Sequence, residues 1–462
     1  MLIRRATLLD GTVANIRCHR LITEVDAGLR ARRGEEVIDA AFATVIPGLH
    51  DHHVHLRSAA AALASVPAGP PRVLTRADLV GALTRAAPGS DGWIRAVGYH
   101  ESVAGPLDRA VLDAMRDPTA NTADSSAATP VRVQDRSGAL WIVNSAGLAQ
   151  LGIPGHPDGR LFRGRGDSPP FPARRRPALH AVSQRLAAFG VTGLTDATPG
   201  QDAADVGSLA AACRSGELRQ RLHCMADPDV GAVPGITLGP VKLILDDDTL
   251  DLDRLQDTAR RVHARGRGLA VHCVTDSQLV VTVAALRAAG PHPLDRIEHA
   301  AVVPDDLLDQ LAAIGATVVT QPNFVAERGD AYLSEVLPAE QHRLWRLRSL
   351  VCHRVEVALS TDMPFGDADP WAAMRAAVHR GTPGGAVLNA AERVSPRSAL
   401  TMFLGHPDRP SRPRTVTPGQ PADLCVLTAP PRHVLAELDC AMVGATIVGG
   451  RIAHLPERSP LS

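Results

Sequence analysis

The sequence predicts an α/β protein built on a (β/α)8 (TIM) barrel, with a small β-sandwich formed by both chain termini and an insert between the first and second barrel strands. Short runs of β-forming residues recur along the chain, and helix-length segments separate them. Most of the runs end in polar or ionisable residues, as expected for a barrel whose functional side chains lie at the carboxyl ends of its strands. The eight runs are Ala43–His53, Gly190–Thr198, Gln220–Asp227, Pro240–Asp246, Gly268–Cys273, Asp295–His299, Ala316–Gln321 and Arg354–Thr361.

The rest of the chain is assigned around this barrel. We expect the barrel over residues 47–409 and the β-sandwich from residues 1–46 together with 410–462, where PGQPADLCVL and GATIVGGRIAHL are β-type segments with glycine turns. A long stretch separates the first two barrel strands and contains the strand-like runs Trp93–Tyr99 and Val131–Asp135. Long structureless loops are uncommon in compact domains, so an insert or lid is predicted at about residues 60–185.

Composition excludes several classes of protein. Among 462 residues, Lys and Arg total 49 and Asp and Glu total 49, a balance that argues against a nucleic-acid binder or a membrane-surface protein. The seven cysteines are scattered without a C-x-x-C pair, which is typical of reduced thiols, and the longest apolar run is too short to span a bilayer. We therefore expect a cytoplasmic protein that acts on a small molecule, without nucleic-acid or membrane partners; whether it forms a homo-oligomer stays open.

Only one of the 49 basic residues is lysine, Lys242, and it lies within the apolar run Pro240–Asp246. A bias in the coding sequence explains arginine wherever a plain positive charge is enough, so the one retained amine indicates a role that a guanidinium cannot fill. Burying an ammonium ion in such a strand is costly. A neutral amine, in contrast, can add carbon dioxide and become a carbamate, an anionic ligand able to bridge two cations. A lysine that extends along the strand towards solvent is the structural alternative.

Histidines and an aspartate at the ends of the predicted strands form a candidate metal site. In the segment PGLHDHHVH, His53 and His55 are two residues apart, so on a strand they share a face and could bind one ion. His272 and His299 end two later strands, and Asp362 ends the last, where it could bind metal or move protons. For any one of these histidines, a structural role in the core is the alternative.

These residues together resemble the metal-dependent amidohydrolase superfamily. The order HxH, Lys, His, His, Asp along successive strands matches it, as do PGLHDHHVH, RIEHA, STDMP, PADLCVL and IVGGRI. Within it, GWIRAVGYHE and WIVNSAGL are similar to the subgroup that includes N-substituted formamide deformylase. The resemblance covers nearly the whole chain.

The resemblance implies a ligand set for two ions. His53, His55 and Asp362 would bind one metal ion, His272 and His299 would bind the other, and carboxylated Lys242 would bridge them. Zinc suits imidazole and carboxylate ligands, so two Zn²⁺ per chain are expected, with another divalent ion as an open alternative.

The expected activity is metal-dependent hydrolysis of a non-peptide carbon–nitrogen bond, in an amide or a cyclic amide, by metal-activated hydroxide. Asp362 would take the proton from the nucleophile and deliver it to the leaving amine. One alternative is a mononuclear aminohydrolase that deaminates a heterocyclic amine, and another is a barrel retained only as a binding or scaffold protein. From the insert, Trp93, Tyr99 and Glu101 are candidates for lining the substrate pocket, although ordinary packing of the insert explains them equally well.

Overall fold

The computed structural model of the chain describes residues 1–116, 129–162 and 176–456. Residue contacts divide the chain into two compact units: unit 1 comprises Met1–Leu56 and Leu179–Ser462, and unit 2 comprises Arg57–Ala178. No helix in these described ranges combines the length and the apolarity that crossing a bilayer requires.

The strands in chain order are β1 (Leu2–Thr7), β2 (Val13–Cys18), β3 (Ile22–Asp26), β4 (Val37–Asp39), β5 (Val45–Pro47), β6 (Leu49–Val54), β7 (Val66–Pro67), β8 (Ile94–Tyr99), β9 (Val131–Asp135), β10 (Leu140–Val143), β11 (Arg160–Phe162), β12 (Val191–Asp196), β13 (Arg221–Cys224), β14 (Thr237–Leu238), β15 (Val241–Ile244), β16 (Leu269–Cys273), β17 (Arg296–His299), β18 (Thr317–Thr320), β19 (Val357–Leu359), β20 (Leu424–Leu427), β21 (Val443–Val448) and β22 (Arg451–His454).

The α-helices are α1 (Leu56–Leu63), α2 (Arg76–Arg85), α3 (Glu101–Ala104), α4 (Arg109–Arg116), α5 (Ser145–Gln150), α6 (His180–Ala188), α7 (Ala203–Ser215), α8 (Leu252–His263), α9 (Asp276–Ala289), α10 (Leu308–Ile314), α11 (Asn323–Glu335), α12 (Leu347–Cys352), α13 (Pro370–His379), α14 (Pro396–Thr401) and α15 (Pro431–Glu437). Short 3-10 turns cover Asp247–Thr249, Asp305–Leu307, Gln341–Arg343, Ala390–Glu392 and Cys440–Met442.

Two parallel sheets of unit 1 carry the candidate site. One has the strand order β14-β13-β12-β6, and the other has the order β15-β16-β17-β18-β19. Strands β6, β12, β17 and β18 are buried at every position, which is typical of parallel sheets covered by helices on both faces. Each of the eight predicted runs overlaps an observed strand, and helices separate successive strands except β13 and β15, between which lies β14. The predicted α/β class is therefore confirmed.

Helix caps fix where the chain leaves these strands. After β16, the side chain of Thr275 accepts from the backbone N–H of Gln278, and the Gln278 side chain reaches back to the Thr275 backbone. This capping box starts at Thr275, three residues after His272, and α9 begins at the next residue. Before α13, Asp369 caps the first turn and Pro370 occupies its start, so a helix also begins soon after Asp362.

The two chain ends of unit 1 form two further four-stranded sheets, with the orders β3-β2-β1-β4 and β22-β21-β20-β5. Apolar residues from both sheets share one core, among them Ile3 and Ile16 from the first sheet and Val45, Val426 and Ile447 from the second. Pairing of β5 with β20 joins residues 45–47 to residues 424–426, so segments distant in sequence meet in one sheet.

Unit 2 contains a five-stranded sheet of order β11-β10-β9-β8-β7. The β7–β8 and β8–β9 pairs are parallel, whereas the β9–β10 and β10–β11 pairs are antiparallel. Its core combines Leu79 and Leu83 of α2 with strand residues such as Ile94 and Val133. The segment predicted as an insert thus has secondary structure and an apolar core of its own, and its function as a lid stays a prediction.

Candidate metal centre

His53 and His55 come at the end of β6 and face the same carboxylate. Nε2 of His53 lies 3.6 Å from Oδ1 of Asp362, and Nε2 of His55 lies 3.3 Å from the same oxygen. The alternation of side chains along a strand gives the two rings this common direction. Nδ1 of His55 lies 3.3 Å from the hydroxyl oxygen of Thr198, which leaves Nε2 as the ring nitrogen that faces Asp362.

A buried ion pair orients His53. Its Nδ1 donates to Oε2 of Glu298 at 2.5 Å, and Glu298 also accepts from Arg296 at 2.8 and 3.1 Å. Arg296 donates in turn to the backbone carbonyl of His52 at 2.7 Å, which ties β17 to β6. Because the carboxylate holds the proton on Nδ1, Nε2 of His53 carries the lone pair that a metal ion needs.

His299 reaches the same group although it follows Glu298 directly in sequence. Consecutive residues of a regular strand point to opposite faces. His299 has a φ of +72°, however, so regular strand geometry ends there, and its ring centroid lies 4.9 Å from that of His53. Nδ1 of His299 donates to Oε1 of Gln321 at 2.7 Å. His272, at the end of β16, has its ring centroid 4.4 Å from that of His299.

Asp362 follows β19 with a φ of +56°, an unusual conformation for a residue with a side chain. Its backbone N–H donates to the carbonyl of His53 at 3.0 Å. The preceding residue, Thr361, donates its backbone N–H and its hydroxyl to Asp51 at 3.1 and 2.5 Å. These bonds hold the last strand against β6, and burial raises the pKa of Asp51 to about 7 against the opposing effect of the Thr361 hydrogen bonds.

Lys242 lies on β15 and is 5% exposed. Its Nζ has no hydrogen-bond partner among the described residues, and neither has Oδ1 of Asp362. Burial lowers the pKa of Lys242 to about 8, and Glu298 and Asp362 oppose this shift. A buried amine without a hydrogen-bond partner is costly in a folded chain, so such a group calls for an explanation.

Electrostatics favour neutral imidazoles at the site. Burial, together with the charge of Lys242, lowers the pKa of His53 and that of His299 well below the ordinary value. The same two causes lower the pKa of His272 to about 3. Neutral imidazole is the form that binds metal ions.

The described residues therefore fit a metal ion. Possible ligand atoms of His53, His299 and Asp362 all lie within 4.8 Å of one another, and all three side chains are buried. His55 and His272 contact members of this group. Lys242 is buried on β15, where it pairs with Ala270 of β16, the strand that carries His272. The six predicted ligands thus lie in one region of unit 1.

The residues that orient these ligands were not predicted from the sequence. Glu298, Arg296 and Gln321 each make a hydrogen bond on which the geometry of a ligand depends. A weak signal was present, because Arg296 and Glu298 are charged residues in a short run that predicts a buried strand. Charges in such a strand need partners, but the pattern does not say which partners.

The three residues suggested for substrate binding lie in unit 2. Trp93 packs in a cluster with Val143, and Tyr99 belongs to the apolar core of unit 2, where its hydroxyl donates to the carbonyl of Gly105. Glu101 is exposed at the start of α3, with a carboxylate oxygen 3.9 Å from Arg160. Their role in substrate binding stays a prediction.

Comparison of the sequence with known proteins identifies relatives along nearly all of the chain. The model of one protein family, the amidohydrolase family, matches residues 36–454. N-substituted formamide deformylase of Arthrobacter pascens is 26% identical over 495 aligned residues, which cover 91% of this chain and 88% of that protein.

Solved structures share the fold at lower sequence identity. An uncharacterised metal-dependent hydrolase from Pyrococcus horikoshii OT3 is 19% identical with a TM-score of 0.73, and the match covers 94% of this chain and 98% of that one. Atrazine chlorohydrolase from Arthrobacter aurescens TC1, solved in complex with zinc, is 15% identical with a TM-score of 0.56 over 100% of this chain and 96% of that one.

Proposed function

Because this chain belongs to the amidohydrolase family, and is thus a hydrolase of carbon–nitrogen bonds other than peptide bonds, we propose that it cleaves an amide or a cyclic amide at the centre formed by His53, Asp362 and their neighbours. The observation that carries this proposal is the convergence of His53, His299 and Asp362 within 4.8 Å, beside the unpartnered amine of Lys242. N-substituted formamides, the substrates named for the Arthrobacter relative, are the first compounds to try.

A closed (β/α)8 barrel is the architecture that we propose around this centre. Its eight strands would be β6, β12 and β13 of the first parallel sheet and the five strands of the second, with β6 next to β19 and the short β14 as an extra strand. Bonds from the backbone of Asp362 to His53 and from Thr361 to Asp51 support this neighbourhood. We also propose that the two sheets of the chain ends pack as a β-sandwich, which their shared apolar core supports.

Six residues would hold the metal in this proposal. His53, His55 and Asp362 would bind one ion, and His272 and His299 a second, with carboxylated Lys242 as the bridge. Carboxylation joins the neutral Nζ to carbon dioxide and releases a proton. It would replace a buried amine that has no hydrogen-bond partner among the described residues with a carbamate whose oxygens could bind the metal ions. When bound, zinc supplies a strong Lewis acid and lowers the pKa of a water ligand.

The chain's own residues supply orientation and proton transfer. Glu298 and Gln321 keep the Nδ1 protons of His53 and His299 in place, so both rings present Nε2. Oδ1 of Asp362 accepts no hydrogen bond among the described residues and lies within 3.6 Å of both Nε2 atoms of the HxH pair. It would take a proton from the attacking nucleophile and return it to the nitrogen of the leaving amine.

A second candidate function is deamination of a heterocyclic amine with a single ion. The compact group of His53, His299 and Asp362 favours this alternative, because it suffices for one ion without Lys242. The number of metal ions per chain separates the two functions, since the first requires two ions bridged by Lys242 and the second requires one.

Metal analysis of the wild-type protein and of Lys242→Arg tests the proposal. We expect two ions per chain in the wild type, and in the variant the loss of one or both ions, a retained fold by circular dichroism and a fall in amide hydrolysis of about a hundredfold or more. Leu243→Met, on the neighbouring residue of β15, is the control and should keep both metal and activity. Full metal content and activity in Lys242→Arg would refute the carbamate, and one ion per chain with release of ammonia from heterocyclic amines would favour the second function.

A further inference from the structure

A concave site lies in unit 1, and none of the proposed metal ligands lines it. It is a cavity of about 490 Å³, lined in part by His19, Arg20, Arg219, Arg221 and Arg451. Small-molecule sites typically occupy about 300–1,000 Å³, so the cavity is large enough for an organic ligand. Four arginines line it, and no carboxylate does.

Residues from both chain ends and from the start of β13 build this cavity. The turn Gly449–Gly450 joins β21 to β22 and approaches the chain at His19 so closely that a Cβ on Gly450 would lie 1.5 Å from the carbonyl oxygen of His19. Gly450 also has a φ of +74°, so both space and conformation demand glycine there. The close turn places Arg451 on the same cavity as Arg20, although the two are far apart in sequence.

Two of the four guanidinium groups are held by the fold. Nε of Arg221 donates to the buried carboxylate of Asp423, which also accepts from the backbone N–H of Gly449 at 2.7 Å. Nη1 of Arg219 donates to the carbonyl of Ala453 at 2.5 Å. These bonds fix the two side chains but occupy only one nitrogen of each.

The remaining donors have no protein acceptor in the described ranges. Arg20 and Arg451 are exposed at the cavity, and no side-chain hydrogen bond or ion pair of either is formed there with any described residue. Asp423 is the one carboxylate that pairs with a lining arginine among those residues. Four cations thus line the cavity while one carboxylate, Asp423, pairs with only one of them, and this excess of positive charge favours a ligand with more than one negative charge.

We propose that this cavity binds a small organic phosphate that carries at least two negative charges. A phosphate monoester concentrates its charge on one group of three terminal oxygens, and guanidinium groups donate to such oxygens in pairs. A carboxylate offers only two oxygens and one charge. The fixed groups of Arg219 and Arg221 would orient the phosphate, and Arg20 and Arg451 would close around it.

The site is separate from the proposed catalytic centre. Arg221 is the first residue of β13 and Arg219 precedes that strand, so the cavity lies at the amino end of a parallel strand. His53, His272 and His299, in contrast, lie at or near the carboxyl ends of their strands. An occupant of the cavity would therefore be an effector or a structural ligand and not the compound that is hydrolysed.

Isothermal titration calorimetry of the metal-loaded full chain at low salt tests this proposal. Glycerol 2-phosphate is the probe, and succinate and methanesulfonate are the comparison anions. The test variant is the double substitution Arg20→Gln and Arg451→Gln, chosen because neither side chain bonds a described residue. The control is Arg254→Gln with Arg348→Gln, which removes the same charge from exposed positions of α8 and α12.

We expect one glycerol 2-phosphate per chain in the wild type and in the control, with affinity reduced about tenfold or more in the test variant. Saturating probe should not compete with the amide substrate, because the sites are separate, and competitive inhibition of hydrolysis would overturn that separation. No saturable binding, equal binding by both double variants, or loss of binding when the metal is removed would each overturn the proposal. Tighter binding of succinate than of glycerol 2-phosphate would overturn the assignment to phosphate.

Discussion

At the scale of single residues, the candidate site depends on the Nδ1 atoms of its histidines as much as on the Nε2 atoms that face inward. Glu298, Gln321 and Thr198 each lie within 3.3 Å of one Nδ1. Such partners fix which nitrogen carries the proton, and so which one can bind a metal ion. His299 and Asp362 are two of the eleven described non-glycine residues with a positive φ, and at predicted ligands this conformation fits the backbone strain often found in functional sites.

Glu298→Gln is the substitution that tests this orientation. The amide can accept from His53 or from Arg296 but carries no charge, so we expect metal affinity to fall about 10- to 100-fold. The free energy of unfolding should also fall, by about 3–5 kcal/mol, because Arg296 would remain buried without its anion.

Competition with a chelator measures the metal affinity, and urea unfolding measures the stability. Glu356→Gln replaces an exposed glutamate just before β19 and should change neither quantity. Unaltered metal affinity in Glu298→Gln would show that the Nδ1 bond to His53 does not matter for binding.

At the scale of elements, close packing between β6 and β12 sets the position of the HxH pair. Gly193 of β12 pairs with His50 of β6, and a Cβ at Gly193 would lie 2.4 Å from Nδ1 of the His50 ring. Nε2 of that ring lies 2.9 Å from the hydroxyl oxygen of Thr195, also on β12. The ring therefore has no room to withdraw without breaking a contact.

We expect Gly193→Ala to lower the free energy of unfolding by about 1–3 kcal/mol through overpacking, and to reduce metal content because β6 must shift. Urea unfolding and metal analysis measure the two effects. Gly207→Ala is the matched control: Gly207 lies within α7 with open space around a Cβ, so alanine should raise stability by up to about 1 kcal/mol. Equal stability of the two variants would contradict the tight packing at Gly193.

At the scale of the whole molecule, buried neutral histidines make stability depend on pH. Burial lowers the pKa of His223 from an ordinary value of 6.5 to about 3. Folding therefore favours the neutral ring, and the stabilisation present above pH 6.5 is lost as the pH falls towards 3. His272 shows a shift of the same direction and size, so acid should destabilise the fold at more than one position.

His223→Gln should reduce the loss of stability that the wild type shows as the pH falls below 6.5. His223 is not a proposed ligand, and an amide at that position can still bond Thr237, whose hydroxyl oxygen lies 2.8 Å from Nδ1. Between pH 7 and pH 5 the loss in unfolding free energy should be smaller than in the wild type by about 2 kcal/mol. Urea unfolding with a chelator present measures this, because metal release would add a slope of its own. The exposed His433→Gln should match the wild type, and a wild-type slope in His223→Gln would contradict the shift.

The sequence alone determined the features that neighbouring residues encode. The β-type runs between helix-length segments predicted the α/β class, and the spacing of His53 and His55 predicted that the two rings share a face. The composition, with one lysine among 49 basic residues, indicated that Lys242 has a special role. These signals are local, because side-chain periodicity and burial preference depend on a few adjacent residues.

Only the tertiary structure decided which distant residues meet. Glu298 bonds His53, which lies 245 positions earlier in the chain. That the two side chains meet depends on how the parallel strands are arranged. His299 joins the site because the backbone leaves strand geometry at that residue. Arg20 and Arg451 line one cavity because a glycine turn packs against the chain at His19. Such contacts are set by strand order and close packing, which no local pattern in the sequence records.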